Sequence, residues 1–103
     1  WKSVVTHEIG HAIDGFLTKN GHGSFNSAYN IVRASTKMRR QVLKELKLTK
    51  NDIAGQVSRY ASKNDAEFFA ECFAEYLDSP NPRAVAAEFG KILEEWMKGT
   101  VKK

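Results

Sequence analysis

The chain has 103 residues, of which 42% are hydrophobic and 27% charged, and carries a formal net charge of +4. That is enough for one domain with a modest core, and the single cysteine, Cys72, excludes an internal disulfide framework and fits a reducing compartment. No apolar run approaches the roughly 18 residues of a membrane span, and no basic-then-apolar leader opens the chain, so no membrane partner is expected.

The pattern is helical almost throughout, and the expected class is mainly α. A first helix, over about residues 2 to 19, carries Val5, Ile9, Ala12, Ile13 and Phe16 on one face and should end near Asn20 and Gly21. The segment "NGHGSFNS" reads as a loop, with His22 exposed between glycines, and a short helix is expected from Ala28 to Arg33. Ser35 is placed to cap a helix with a seam of Met38, Val42 and Leu46, and Thr49 with Asp52 suggests another, reaching about Ser58. Val57 to Ala61 is the only stretch with an extended look. Asn64 and Glu67 have capping-box spacing ahead of "FFAECFAEYL", and Pro82 suits the first turn of a last helix to about Lys98. Basic residues gather from Lys37 to Lys50 and at the end of the chain. They read as a solvated helix face, and no nucleic-acid partner is expected.

"VVTHEIGHAIDGFL", residues 4 to 17, carries the chemistry. His7 and His11, four apart on a helix, project in the same direction, opposite the stripe centred on Ile9 and Phe16. Two neutral imidazoles at that spacing can take adjacent corners of a zinc tetrahedron and leave room for a third ligand and a water. Glu8 lies about 100° round from His7, where it can accept a proton from that water. Gly10 permits close approach of another backbone. Asp14, one turn beyond His11, is placed to orient an imidazole through its other nitrogen. Glycine at 14 and histidine at 17 would supply a third imidazole, but Asp14 and Leu17 stand there. A carboxylate from a separate helix is the remaining common solution.

"NDAEFFAECFAEYLD", residues 64 to 78, supplies candidates. Glu67, Glu71, Glu75 and Asp78 share a stripe about 80° wide that carries no lysine, flanked by Phe69, Phe73 and Leu77 on one side and by Phe68 and Cys72 on the other. Carboxylates on a helix buried on most sides need a positive partner, and a dication is a reasonable one.

"HEIGHAIDGFL" together with "SRYASKNDAEFFAECFAEYL" resembles the catalytic domain of anthrax lethal factor and related zincin-like domains, several of which occur in phage minor head proteins. The likeness runs from about Val4 to Leu77 and includes the Tyr-x6-Glu-Phe-Phe-Ala-Glu block. It implies Zn²⁺ held by His7, His11 and Glu67, with Glu8 as general base, Tyr60 stabilising the tetrahedral oxyanion and Glu71 bonded to a ligating histidine. The expected function is that of a gluzincin-type metallopeptidase core acting on a peptide or protein substrate.

The chain opens on Trp1 and reaches its motif within a few residues, so it is expected to be one zincin-like domain over 1–103 cut from a longer protein. On that expectation the β-sheet that walls the cleft in zincin-like domains lies upstream, and the isolated piece cleaves slowly or not at all. A cytoplasmic or phage-particle setting is expected, with other domains of the parent protein or a phage head as further partners. Two alternatives stand beside this reading: a non-catalytic zinc-binding structural module of a phage head, and a basic helical interaction domain.

Overall fold

The computed structural model describes residues 2–27 and 30–101. The protein is mainly helical: α1 (Lys2–Leu17), α2 (Ala34–Leu46), the short α3 (Ile53–Gln56), α4 (Asp65–Asp78) and α5 (Ala84–Val101). Between α1 and α2 lies an antiparallel hairpin of β1 (Ser24–Ser27) and β2 (Asn30–Val32), with Ser24 opposite Val32 and a register irregularity between Phe25 and Ser27.

The hairpin corrects two expectations. "SFNS" is strand rather than loop, and the helix expected over Ala28 to Arg33 is replaced by β2 from Asn30 onward. Ala28 and Tyr29 lie outside the described residues. Strands this short are pinned by their pairing, not by a period-two pattern long enough to read. Val57 to Ala61 forms turns, not a strand.

Most helix ends follow their local chemistry. α1 gives way to a wide turn, Thr18–His22, in which Gly21 takes φ 107°, a region open to glycine. Asn64 Oδ1 accepts from the Glu67 amide at 2.8 Å and starts α4. Thr49 and Asp52 form a reciprocal capping box ahead of α3. α2 ends at Lys47 in the left-handed region, φ 56°, and the Leu48 amide reaches back to the Leu43 carbonyl at 2.8 Å, a Schellman closure. Ser35 does not cap α2: Arg33 occupies the cap position without a side-chain bond, and the Ser35 Oγ is buried without a partner. Pro82 lies ahead of α5 rather than in its first turn, and α5 runs past Lys98 to Val101.

The core gathers Leu17, Met38, Val42, Phe68, Phe69 and Phe89, all inaccessible to solvent, with Phe69 and Phe89 edge to face at 4.8 Å. α4 lies at its centre, packed against α1, α2 and α5. His22 is half-buried rather than exposed: its ring stacks on Trp96 at 4.5 Å and its Nε2 lies 3.1 Å from Thr100 Oγ1. No helix among the described residues is long and apolar enough to cross a membrane.

The α1–α4 contact positions the site, and its orientation differs from what hydrophobicity alone suggests. Val5, Ile9 and Phe16 remain 45–47% exposed, while Thr6, Gly10, Asp14 and Leu17 are buried. The buried face is therefore rotated by roughly 100° from the apolar stripe, at 3.6 residues per turn. Two features favour this rotation. Gly10 lets the helices touch: a Cβ there would sit 2.9 Å from the Ala70 Cα. The buried polar groups are also satisfied, as in Thr6 Oγ1 donating to both oxygens of Asp78 at 2.9 and 3.2 Å.

Candidate metal centre

That rotation turns the histidines of α1 towards the acidic stripe of α4. His7 Nε2 lies 3.2 Å from Glu67 Oε2, His11 Nε2 lies 3.0 Å from Glu67 Oε1, and the two Nε2 atoms are 3.1 Å apart. Each of the three residues is half-buried, and their ligand atoms, one from each, lie within 4.8 Å of one another. Adjacent vertices of a tetrahedral zinc site with bonds near 2.0–2.1 Å are about 3.3 Å apart, close to the 3.1 Å between the two imidazole nitrogens and to the 3.0 and 3.2 Å from each to a Glu67 oxygen.

The donor set points the same way. His7 Nδ1 lies 2.7 Å from Glu71 Oε2. An ionised carboxylate only accepts, so the ring donates from Nδ1, and the neutral tautomer presents a lone pair at Nε2. That lone pair faces another imidazole nitrogen and a carboxylate oxygen. The Glu67 oxygen is an acceptor facing that lone pair, an unfavourable pairing that a shared cation, whether a dication or an added proton, would relieve. The residues fit zinc.

The remaining expected site residues fall in different places. Glu71 spans two elements: its Oε2 takes the His7 Nδ1 and its Oε1 accepts from Ser58 Oγ at 3.0 Å. Glu8 is exposed on α1 beside His7. Tyr60, 60% exposed, stands on the turn after α3 and lines a cleft of about 280 Å³ with Val4, His7, Glu67 and Glu71. Lys63 Nζ lies 4.8 Å above the Tyr60 ring.

Asp14 is a correction. It meets neither imidazole. Fully buried, it accepts from Arg33 Nε at 3.0 Å, from the Ser35 amide at 2.8 Å and from Thr18 Oγ1 at 3.5 Å. The same rotation of α1 that aims the histidines at α4 carries Asp14 inward to the start of α2. There it is a structural clasp.

The other carboxylates of the stripe also have their own cations or donors. Glu75 Oε1 takes Arg83 NH2 at 2.7 Å, and Glu75 Oε2 takes the Arg83 amide at 2.7 Å. These bonds hold its carboxyl below the usual glutamate range against the opposing effect of burial. Arg83 also reaches the Val57 carbonyl at 2.7 Å, tying the loop after α3 to the start of α5. Burial first, then the Glu75 and Glu71 charges, push the Cys72 thiol well above its ordinary value. Cys72 is therefore an inert apolar residue behind the site.

Ser58, Val4 and Arg83 were not evident as site neighbours from sequence. Ser58 carried a weak signal: a serine whose hydroxyl can take the amide three residues on is a common turn former, and Tyr60 sits inside that turn.

A search of curated proteins and a search of solved structures found no match. The family model described as anthrax toxin lethal factor, N- and C-terminal domain, matches residues 2–89, a span that holds every residue of the cluster. The chain belongs to the anthrax toxin lethal factor family.

Proposed function

We propose that this chain is the core of a zinc-dependent metallopeptidase of gluzincin type, with His7, His11 and Glu67 as the metal ligands and a peptide or protein as substrate. The observation that carries the reading is the clustering of His7, His11 and Glu67, with the two Nε2 atoms 3.1 Å apart and each 3.0–3.2 Å from one oxygen of the Glu67 carboxylate, backed by Glu71 on His7 Nδ1. Membership of the lethal factor family supports it. A purely structural zinc site closes its tetrahedron with four protein ligands. The cluster among the described residues has three and opens onto a cleft, which favours the catalytic reading over a structural module.

Zinc bound there would polarise the scissile carbonyl and acidify the attacking water. The chain's own residues supply the rest. Glu71 fixes the His7 tautomer so that Nε2 keeps its lone pair for the metal. Glu8, an exposed carboxylate beside the histidines, takes the proton of the attacking water and delivers it to the leaving amine. Tyr60, on the rim of the same cleft, donates a hydrogen bond from its hydroxyl to the negative charge developing on the substrate carbonyl oxygen, an effect typically worth about 10²-fold or more.

The test is purification without an affinity metal, followed by measurement of zinc content and of hydrolysis across a peptide library, with and without chelator. The expected result is about one zinc per chain, retained in Glu8→Gln, with cleavage by this chain slow or absent and any cleavage lost both with chelator and in Glu8→Gln; a chain that takes up no zinc would overturn the reading. Cleavage that survives both the chelator and Glu8→Gln would sink the reading.

A further inference from the structure

We propose that Ser58 is a positioning residue of the metal centre, one hydroxyl that fixes both the carboxylate orienting His7 and the turn bearing Tyr60. The inference rests on the metal-centre reading above. Its geometry is a continuous chain of hydrogen bonds. The Ala61 amide donates to Ser58 Oγ at 3.1 Å, Ser58 Oγ donates to Glu71 Oε1 at 3.0 Å, and the other oxygen of Glu71 meets His7 Nδ1 at 2.7 Å.

The direction of each bond follows from the donor inventory. An amide N–H only donates and an ionised carboxylate only accepts. The Ser58 hydroxyl must therefore accept from Ala61 and spend its single proton on Glu71. Glu71 then accepts at both oxygens, from Ser58 on one side and from the imidazole on the other. A carboxylate held at one oxygen can pivot about its last torsion, which is broad and soft for glutamate. Held at both, it presents a fixed acceptor to His7, and the ring plane is fixed with it.

The same hydroxyl shapes the cleft. The bond from the Ala61 amide closes the turn Ser58–Ala61, and Tyr60 is its third residue. The following amides continue the turn, with Ser62 to the Arg59 carbonyl at 3.2 Å and Lys63 to the Tyr60 carbonyl at 3.1 Å. Tyr60 and His7 line one cleft from opposite elements, so a common anchor for the two sets their separation. Ser58 is half-buried and lies outside that lining, so it acts through Glu71 and the turn rather than on a substrate.

The test compares the wild-type chain with Ser58→Ala, Ser58→Thr and Glu71→Gln in a zinc competition titration and in NMR of the histidine rings without metal. Glu71→Gln should weaken zinc by about 10–100-fold, the usual range for a direct partner of a ligating histidine, and Ser58→Ala, one bond further out, by about three- to tenfold. Ser58→Thr keeps the hydroxyl and should return to wild-type affinity. Without metal, the His7 Nδ1–H signal should exchange faster in Ser58→Ala than in wild type and Ser58→Thr. Unchanged affinity and an unchanged ring signal in Ser58→Ala, beside a clear loss in Glu71→Gln, would overturn the role of Ser58 and leave the metal centre standing. Equal loss in the alanine and threonine variants, tracking a fall in melting temperature, would also overturn it by showing a packing role only. A wild-type chain that takes up no zinc would overturn the metal-centre reading itself, and Ser58's role with it.

Discussion

Gly10 on α1 lies so close to Ala70 on α4 that a methyl group at Gly10 would stand 2.9 Å from the Ala70 Cα and 3.3 Å from the Phe73 Cβ. The close approach lies between His7 and His11 along α1, one residue short of His11, opposite the turn of α4 bounded by Glu67 and Glu71. The helix spacing that brings the two imidazoles onto the Glu67 carboxylate is therefore set by the absence of a side chain at Gly10.

Gly10→Ala is expected to push the two helices apart. In isolation the change would favour the helix by up to about 1 kcal/mol, but forcing atoms into a packed interface typically costs about 1–3 kcal/mol. The obstructing atom is backbone, which cannot swing aside, so the net effect should be destabilising. Urea denaturation should show a lower midpoint, and zinc titration a weaker site, because ligands from separate helices are moved apart. A variant as stable as wild type with unchanged zinc affinity would show that the contact does not set the ligand spacing.

The ligand roles separate by substitution. His7→Ala, His11→Ala and Glu67→Ala should each abolish tight zinc binding, since each removes one of the three proposed ligands. Glu8→Gln should retain the metal, because Glu8 stands exposed beside the cluster rather than within it. Zinc content after dialysis decides the matter. Loss of zinc from Glu8→Gln as complete as from His11→Ala would require Glu8 to be reassigned as a ligand.

That His7, His11, Glu67 and Glu71 would come together was legible in the sequence, and the reasons are physical. His7, His11, Glu67 and Glu71 lie on two long helices, where four-residue spacing fixes direction whatever the rest of the fold does. The Asn64 cap at the start of α4 was legible because it is local. The hairpin was not, since two strands of four and three residues owe their form to each other. Nor was the rotation of α1, because Val5, Ile9 and Phe16 advertise an apolar face while Gly10 and the partners of Thr6 and Asp14 decide which face is buried. Ser58 escaped notice because its partner, Glu71, is separated from it by a turn whose shape no periodicity encodes.

The Glu75–Arg83 pair should give stability a defined pH dependence. The Arg83 hydrogen bonds, chiefly, hold the Glu75 carboxyl below its ordinary value of 4.5 in the folded protein. A carboxyl with a depressed folded pKa contributes stability that is fully present above the unfolded value and is lost as pH falls through the folded one. Arg83 has a side chain 52% exposed, so solvent screening keeps the contribution modest. Arg83→Ala should therefore be less stable than wild type near neutral pH, and the difference should shrink between about pH 5 and about pH 3. Chemical denaturation at several pH values measures it. A stability gap that widens on acidification would contradict the direction of the shift.

Asp14 offers the sharpest contrast with the residues of the candidate metal centre, because it lies between the two histidines and the end of the same helix yet touches neither ring. Its carboxylate is inaccessible to solvent and accepts from Arg33, the Ser35 amide and Thr18, clasping α1 to the start of α2. Arg33, half exposed, can recover water if the carboxylate is removed, but the buried Ser35 amide cannot. Leaving a buried donor unsatisfied costs about 1–3 kcal/mol, so Asp14→Ala should lower the unfolding free energy by at least that much. Zinc affinity of the folded fraction should stay within about twofold of wild type, since sites without shared partners are nearly additive. Measuring unfolding and zinc binding on the same sample separates the two effects. A stable Asp14→Ala protein with tenfold weaker zinc would mean that Asp14 orients an imidazole after all, and that its clasp on α2 matters little.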